Sequence, residues 1–206
     1  MKRKTLFLAV LLCLFGSGVV SAGTVFHSGI FSLDEDVVLI PFTVSGATLI
    51  TIQTTSFADG TTGFEPVLTV FDSLGNLLFQ DATGGTEPSG CGARLTDSSS
   101  GFCLDAYIQS VLETGSYTLA ISEWDNIPGG TLSDGFPQTG NGNFTGPEFL
   151  GGPGSFILFN GSQRNSNWAL EIDGTAVPEP GTTTLLGSAL LGAVLLRRRC
   201  RGQTQS

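Results

Sequence analysis

Short runs in which apolar and polar residues alternate recur along most of the chain, separated by Gly, Asn, Asp and Pro. A period of two places every second side chain on one face of an extended strand, so each run predicts a half-buried β-strand. The predicted strands cover residues 24–31, 37–44, 48–54, 66–72, 77–79, 106–112, 116–122, 155–159 and 168–172. No helical period lasts beyond a turn or two. The pattern predicts an all-β fold, an antiparallel and jelly-roll-like β-sandwich.

Turn residues place one hairpin and a second tight turn within this pattern. An apolar strand at 66–72 is followed by a turn that contains Gly75 and Asn76 and then by a second strand. A tight turn at 113–115 joins the runs at 107–112 and 117–121. Two long linkers, 81–105 and 124–154, interrupt the strands, and loops of this length are usually functional or mobile. Trp124 and Trp168 are the expected aromatic anchors of the core.

The two ends of the chain differ from the β-rich body. Lys2, Arg3 and Lys4 precede an apolar run at 6–15 and then small residues, the pattern of a secretory signal peptide over residues 1–22. The expected cleavage lies between Ala22 and Gly23, and export would use the Sec machinery. An uncleaved membrane anchor is the alternative, although the run is shorter than the ~20 residues of a typical span.

The C-terminal end carries three consecutive signals. Val177, Pro178, Glu179 and Pro180 are followed by an apolar segment at 182–196 and then by a basic cluster, and the polar tail at 202–206 ends the chain. The arginines of the cluster are Arg197, Arg198, Arg199 and Arg201. Fifteen residues give a helix of about 22 Å, which spans a membrane only with thinning or snorkelling. Basic flanks stay in the cytoplasm, so we expect a short transmembrane helix with the body at 23–176 outside. The alternative is a buried core helix.

Charge separates the body from its ends. Between residues 23 and 176 the sequence has seventeen Asp and Glu against two basic residues, Arg94 and Arg164, a net charge of −15. Such a body repels nucleic acids and anionic membrane surfaces. We therefore expect no nucleic-acid partner.

Cysteine and histidine limit the chemistry that the body can perform. Cys13 lies in the signal peptide and Cys200 in the tail, which leaves Cys91 and Cys103 as one pair in an exported domain. We expect a disulfide between them, which closes a loop of thirteen residues and stabilises by roughly 3 kcal/mol. His27 is the only histidine, so neither a zinc site nor a histidine-dependent triad is expected.

The abundant carboxylates leave three alternatives open. They are solvated turn residues, the oxygen ligands of a calcium ion, or the two carboxyls of a glycoside hydrolase. The calcium candidates are oxygen-bearing loop residues: Asp72, Asn76, Asp81, Asp125 and Asp134. No EF-hand spacing is present, so solvated turn residues are the expected outcome, with no cofactor and no catalytic residue.

The order of the C-terminal signals resembles the PEP-CTERM protein-sorting signal over residues 177–201. The resemblance implies a substrate of an exosortase, a membrane-embedded, transpeptidase-like enzyme that cuts near Pro-Glu-Pro. Two prolines keep this motif extended and accessible. The resemblance also implies transient anchoring in the inner membrane with the body outside the cytoplasm, followed by the cell surface or the exopolysaccharide-rich extracellular matrix of a biofilm. Glu179 would be recognised by the enzyme and would not be a catalyst.

The body also resembles other PEP-CTERM bodies and the pre-peptidase C-terminal-like modules of secreted bacterial peptidases. The matching segments are 64–69, 72–76, 115–119 and 167–170. This similarity implies a sandwich fold and no particular activity. The expected function is a structural or adhesive role without catalysis, and a carbohydrate- or calcium-binding module is the alternative. A polysaccharide hydrolase is the third hypothesis.

Overall fold

The structure, a computed structural model, describes residues 22–58, 63–82, 85–86, 91–98 and 100–176. Ala22–Ala176 form one compact unit. Within the described residues, ten strands and two short helical segments occur, so the predicted all-β class is confirmed. The strands are β1 (Ala22–Ile30), β2 (Val38–Val44), β3 (Thr48–Thr54), β4 (Pro66–Phe71), β5 (Leu77–Asp81), β6 (Gly85–Thr86), β7 (Phe102–Cys103), β8 (Tyr107–Leu112), β9 (Gly115–Glu123) and β10 (Asn167–Ala176).

Eight of these strands form the two sheets of an antiparallel sandwich. One sheet has the order β1-β10-β3-β8, and the other has the order β2-β9-β4-β5. The last strand, β10, lies between the first strand and β3, so this sheet is complete only when both ends of the body are in place. The small β6-β7 ribbon is separate from both sheets.

The core lies between the two sheets and follows the predicted alternation. Ile40, Phe42 and Val44 of β2 are buried, whereas the residues between them are exposed. Ile50 and Ile52 of β3 face them from the other sheet as members of the same cluster. All of β4 is buried, because its outward face is covered as well as its core face. Burial of these aliphatic and aromatic side chains is the main stabilising term of the fold.

Most predicted strand bounds agree with the structure to within one or two residues, and β10 continues four residues further than expected. The strand predicted at 155–159 is wrong. Ile157 forms only an isolated bridge to Gln163, and Phe156 has a φ of 51°, which no extended strand allows. The apolar run there is buried because the loop packs onto the core, where the ring centres of Phe156 and Phe64 are 5.4 Å apart.

The linker 124–154 folds over the outer face of the β2-β9-β4-β5 sheet. It contains a 3₁₀ helix at Leu132–Asp134 and one α-helix, α1 (Thr145–Leu150). The Gln80 side chain on β5 donates to the carbonyl of Pro128, and the amide of Leu132 donates to the carbonyl of Gly75. In the described part of the chain, no helix combines the length and apolarity needed to cross a membrane.

Candidate functional site

The two ends of the body meet as cross-strand neighbours. In the β1-β10 pair, Ala22 lies opposite Ala176 and Gly23 lies opposite Thr175. The predicted signal cleavage point and the residue before the sorting motif therefore belong to the same end of one strand pair. Directly opposed residues of an antiparallel pair lie about 5 Å apart. Both ends of the body thus leave the sandwich at one position.

A β-bulge separates these two terminal pairs from the rest of the sheet. Thr24 lies opposite the two residues Asp173 and Gly174, and its hydroxyl donates to the Asp173 carboxylate at 2.9 Å. Gly174 has a φ of 89°, and a Cβ there would lie 2.6 Å from the carbonyl oxygen of Leu49. Both the backbone conformation and the close approach require glycine.

The sorting residues predicted from the sequence lie outside the described residues. They are Val177, Pro178, Glu179 and Pro180 of the motif and Arg197, Arg198, Arg199 and Arg201 of the basic cluster. The same holds for the signal peptide up to residue 21, the predicted membrane segment at 182–196 and the tail at 202–206.

The predicted disulfide is confirmed. Cys91 and Cys103 are bonded, with their Cα atoms 5.5 Å apart, and Cys103 belongs to β7. The bond ties the loop after β5 to the segment that leads into β8. Both cysteines are buried, so this disulfide has a structural role in the body.

Both arginines of the body form hydrogen bonds and ion pairs with other residues of the body. Arg94 donates to both carboxylate oxygens of Asp81, at 2.8 and 2.6 Å. The Arg164 guanidinium lies 3.9 Å from the ring centre of Phe57, and it donates to the carbonyls of Phe57 and Gly63. Since the sequence has no lysine between residues 23 and 176, the acidic surface of the body has no free arginine or lysine to offer an anion.

The calcium candidates are distributed over separate local networks. Asp72 and Asn76 occur together in the β4-β5 turn, where Asp72 accepts from the Leu74 and Asn76 amides. Asp81 pairs with Arg94, Asp125 accepts from Gln138, and Asp134 accepts from the Thr131 amide. Among the described residues, no three His, Cys, Asp or Glu side chains are grouped as a metal site requires. Calcium binding stays the alternative to solvated turn residues.

Two buried aspartates, which the sequence did not single out as structural, hold loops in place. Asp105 accepts from the Thr54 hydroxyl at 2.9 Å and from the amides of Phe57 and Ala58 at 3.1 and 2.9 Å. Asp34 accepts from the Thr145 hydroxyl and amide and from the Phe156 amide at 2.8 Å. These bonds supply acceptors for buried donors, which is what a buried charge requires.

Two buried glutamates lie near each other where β4 begins and β9 ends. Glu123 ends β9 opposite Pro66, next to Glu65, and both side chains are buried. Burial raises the pKa of Glu65 from 4.5 to about 7. Burial, followed by the negative charges of Asp34 and Glu65, raises the pKa of Glu123 well above its usual value. One carboxyl oxygen of Glu123, Oε2, is buried without a hydrogen-bond partner, as a protonated side chain tolerates better than an ionised one.

An open groove runs along the outward face of β2, beside the 3₁₀ helix. Its floor includes Leu39, Pro41 and Thr43, alternate residues of an edge strand that span about 13 Å. Two depressions of 410 and 470 Å³ make up the groove, and both are lined by Leu132. Asp72 lies at one end, and Glu35 and Asp36 lie at the other. The alternation in the sequence predicts the outward residues of β2 that form the floor of this groove. It does not predict the folded linker that forms the wall.

Comparison with known proteins identifies the C-terminal signal. Residues 176–199 match the family model described as the PEP-CTERM protein-sorting motif. No curated protein matches the chain. The motif begins at Ala176, the last residue of β10, so the signal follows the sandwich without a spacer. A motif of this family marks export, sorting to the cell surface and processing by an exosortase-type enzyme. The chain therefore carries a PEP-CTERM protein-sorting signal, which directly follows its β-sandwich and marks it for export and sorting to the cell surface.

Proposed function

We propose that the chain is a non-enzymatic structural or adhesive protein of the cell surface or extracellular matrix, associated with exopolysaccharide in a biofilm. The sorting motif supports the destination, and the body supports the role. The observation that carries the proposal is the acidity of the body: its formal net charge is −15 when every carboxyl is counted as ionised, and both of its arginines are paired within the structure. A module of this kind stays dispersed outside the membrane and does not adhere to anionic surfaces.

The buried carboxyls support a role without catalysis. Hydrolysis of a glycosidic bond needs two carboxyls that face a sugar cleft. Glu65 and Glu123 are adjacent, but both are buried. The carboxylate oxygens of Asp34 and Asp105 accept hydrogen bonds from backbone amides and hydroxyls of the fold. Asp34 and Asp105 thus hold loops of the fold, and the burial of all four carboxyls does not suit them to meeting a substrate.

Carbohydrate binding is the second candidate function, and a specific feature favours it. The groove along β2 combines the hydroxyls of exposed Thr43 and Ser116 and of half-buried Thr118 with apolar surface from Leu39 and Leu132. Hydroxyls beside apolar patches suit sugar rings, which have polar edges and apolar faces. An adhesive protein that binds polysaccharide would unite both candidates.

The proposal is tested by blocking the sorting step. Changing Pro178, Glu179 and Pro180 to alanine should leave the full-length chain in the membrane fraction, because the extended recognition motif is lost. The matched control changes Gln203, Thr204 and Gln205 of the polar tail to alanine, and this chain should be processed as in the wild type. Immunoblotting of cytoplasmic, membrane, surface and matrix fractions measures the outcome.

The same strains test the role. Cells with the blocked motif, and cells without the gene, should retain less exopolysaccharide in the matrix than wild-type and control cells. Equal matrix retention in all four strains would contradict a structural or adhesive role. Catalytic turnover of a polysaccharide by the purified wild-type chain would contradict the absence of an enzymatic function.

A further inference from the structure

We propose that the groove along β2 binds a polysaccharide that carries free amino groups, an inference that rests on the proposed function and names its partner chemistry. The groove has carboxylates at both ends, hydroxyls on its floor and apolar side chains on its wall. It is open at the surface and extended, as a site for a polymer must be.

The charges along the groove select the ligand. Asp72 marks one end, and Glu35 and Asp36 mark the other, while Asp134 of the 3₁₀ helix lines a separate depression nearby. Hydrogen bonds from Asn76 hold the pKa of Asp72 below its usual value, and those from Thr131 do the same for Asp134. Both side chains are therefore ionised in mild acid as well as at neutral pH. An anionic polysaccharide would be repelled, whereas protonated sugar amines would be attracted.

The floor provides hydroxyls at regular intervals. Thr43 and Ser116 are directly opposite each other on β2 and β9, and Pro41 is opposite Thr118. Thr43, Pro41 and Leu39 are exposed on the outer face of β2, so the strand pair presents hydroxyls at its Thr43 end and becomes apolar toward Leu39. Leu132 stands beside this surface on the 3₁₀ helix and lines both depressions.

The edge strand itself disfavours an extended peptide as the occupant. A peptide would add to β2 through main-chain hydrogen bonds, as in β-strand addition. Pro41 lies in the middle of β2 and has no N–H, so one donor of the ladder is missing at its centre. A saccharide does not depend on that ladder, because it binds through hydroxyls, carboxylates and apolar contacts.

Calorimetric titration of the full chain in neutral detergent at pH 6 tests the inference, with a glucosamine hexamer as the probe. The N-acetylated hexamer has the same backbone without charge, and a galacturonic acid hexamer has negative charge. The glucosamine hexamer should bind at least about tenfold more tightly than either. Binding should weaken as salt is raised, because the charged ends of the groove are exposed.

Thr43→Lys places a cation on the floor of the groove, and Gln109→Lys adds the same charge to an exposed position of β8 on the other sheet. T43K should weaken the binding of the glucosamine hexamer about tenfold, and Q109K should change it by less than about twofold. Equal effects of the two variants would overturn the assignment of the groove. Equal binding of the acetylated hexamer, or of a lysine hexapeptide, would overturn the assignment of the ligand.

These outcomes are separate from those of the proposed function. If T43K and Q109K bind alike while the wild-type chain still reaches the surface and supports matrix retention, only the groove assignment fails. If the chain binds the glucosamine hexamer but is absent from the surface and matrix fractions, the proposed function fails.

Discussion

Replacing Asp105 with alanine should unfold the sandwich body under conditions in which the wild-type body is folded. The carboxylate accepts from the Thr54 hydroxyl and from the Phe57 and Ala58 amides, at distances of 2.9 to 3.1 Å. Alanine leaves these donors without their acceptor in a buried site, and no water has ready access to replace it. The expected loss in the free energy of unfolding is about 3–5 kcal/mol. This is a large share of the 5–15 kcal/mol that is typical of a domain.

Urea denaturation at pH 6, followed by tryptophan fluorescence, measures this loss, since Trp168 is buried in the core. Asp173→Ala is the matched control, because Asp173 is exposed and bonds only to the Thr24 hydroxyl among the contacts described above. Its unfolding free energy should change by less than about 0.5 kcal/mol. A loss below about 1 kcal/mol in Asp105→Ala would contradict the structural role of this carboxylate.

The body should be more stable in mild acid than at alkaline pH, and Glu65 should account for much of the difference. Its pKa is raised from 4.5 to about 7 by burial, so the folded state holds the proton more tightly than the unfolded state. The stabilisation is complete below pH 4.5, and it is lost as the pH rises through 7. The pKa values in the unfolded and folded states differ by about 2.5, which corresponds to roughly 3 kcal/mol in the free energy of unfolding. The raised pKa of Glu123 acts in the same direction and extends the loss to higher pH.

Glu65→Gln provides the matched test, because the amide has the same shape without a titrating proton. Urea midpoints from pH 5 to pH 8 should fall in the wild-type chain and fall much less in Glu65→Gln. At pH 8 the variant should be the more stable of the two. A wild-type stability that rises from pH 5 to pH 8, or a variant with the same slope as the wild type, would contradict the burial of this glutamate as a protonated side chain.

The sandwich was predictable because strands leave a local signal. Alternation in β2 and β3 places apolar residues on the core face, and the Asp72–Asn76 turn sets the β4-β5 hairpin. The segment at 113–115 instead carries the chain from β8 in one sheet to β9 in the other, so it connects the two sheets and forms no hairpin. The disulfide was also predictable, since one cysteine pair remains once both ends are removed. The run at 155–159 misled the prediction, because an apolar segment can be buried by a loop as well as by a strand.

The site features were less accessible to sequence reasoning, because they depend on contacts between distant residues. Asp34 is 111 residues from Thr145, and Asp105 is about 50 residues from the donors that it satisfies. Nothing local distinguishes these aspartates from exposed ones such as Asp173. The groove depends on the linker at 124–154, whose Gly- and Asn-rich composition does not reveal that it folds along a sheet. The sorting motif was different, since a linear signal is written in consecutive residues.

Mass spectrometry of the protein recovered from the surface of its native cells tests the central claim most directly. Sorting by the PEP-CTERM signal predicts a mature chain whose C-terminus lies near Pro178–Pro180 and lacks Arg197–Arg201. The signal peptide predicts that the same chain begins at Gly23, and the disulfide predicts a mass two hydrogens below that of the reduced form. A chain recovered from the cytosol with Arg197–Arg201 still attached would contradict the account.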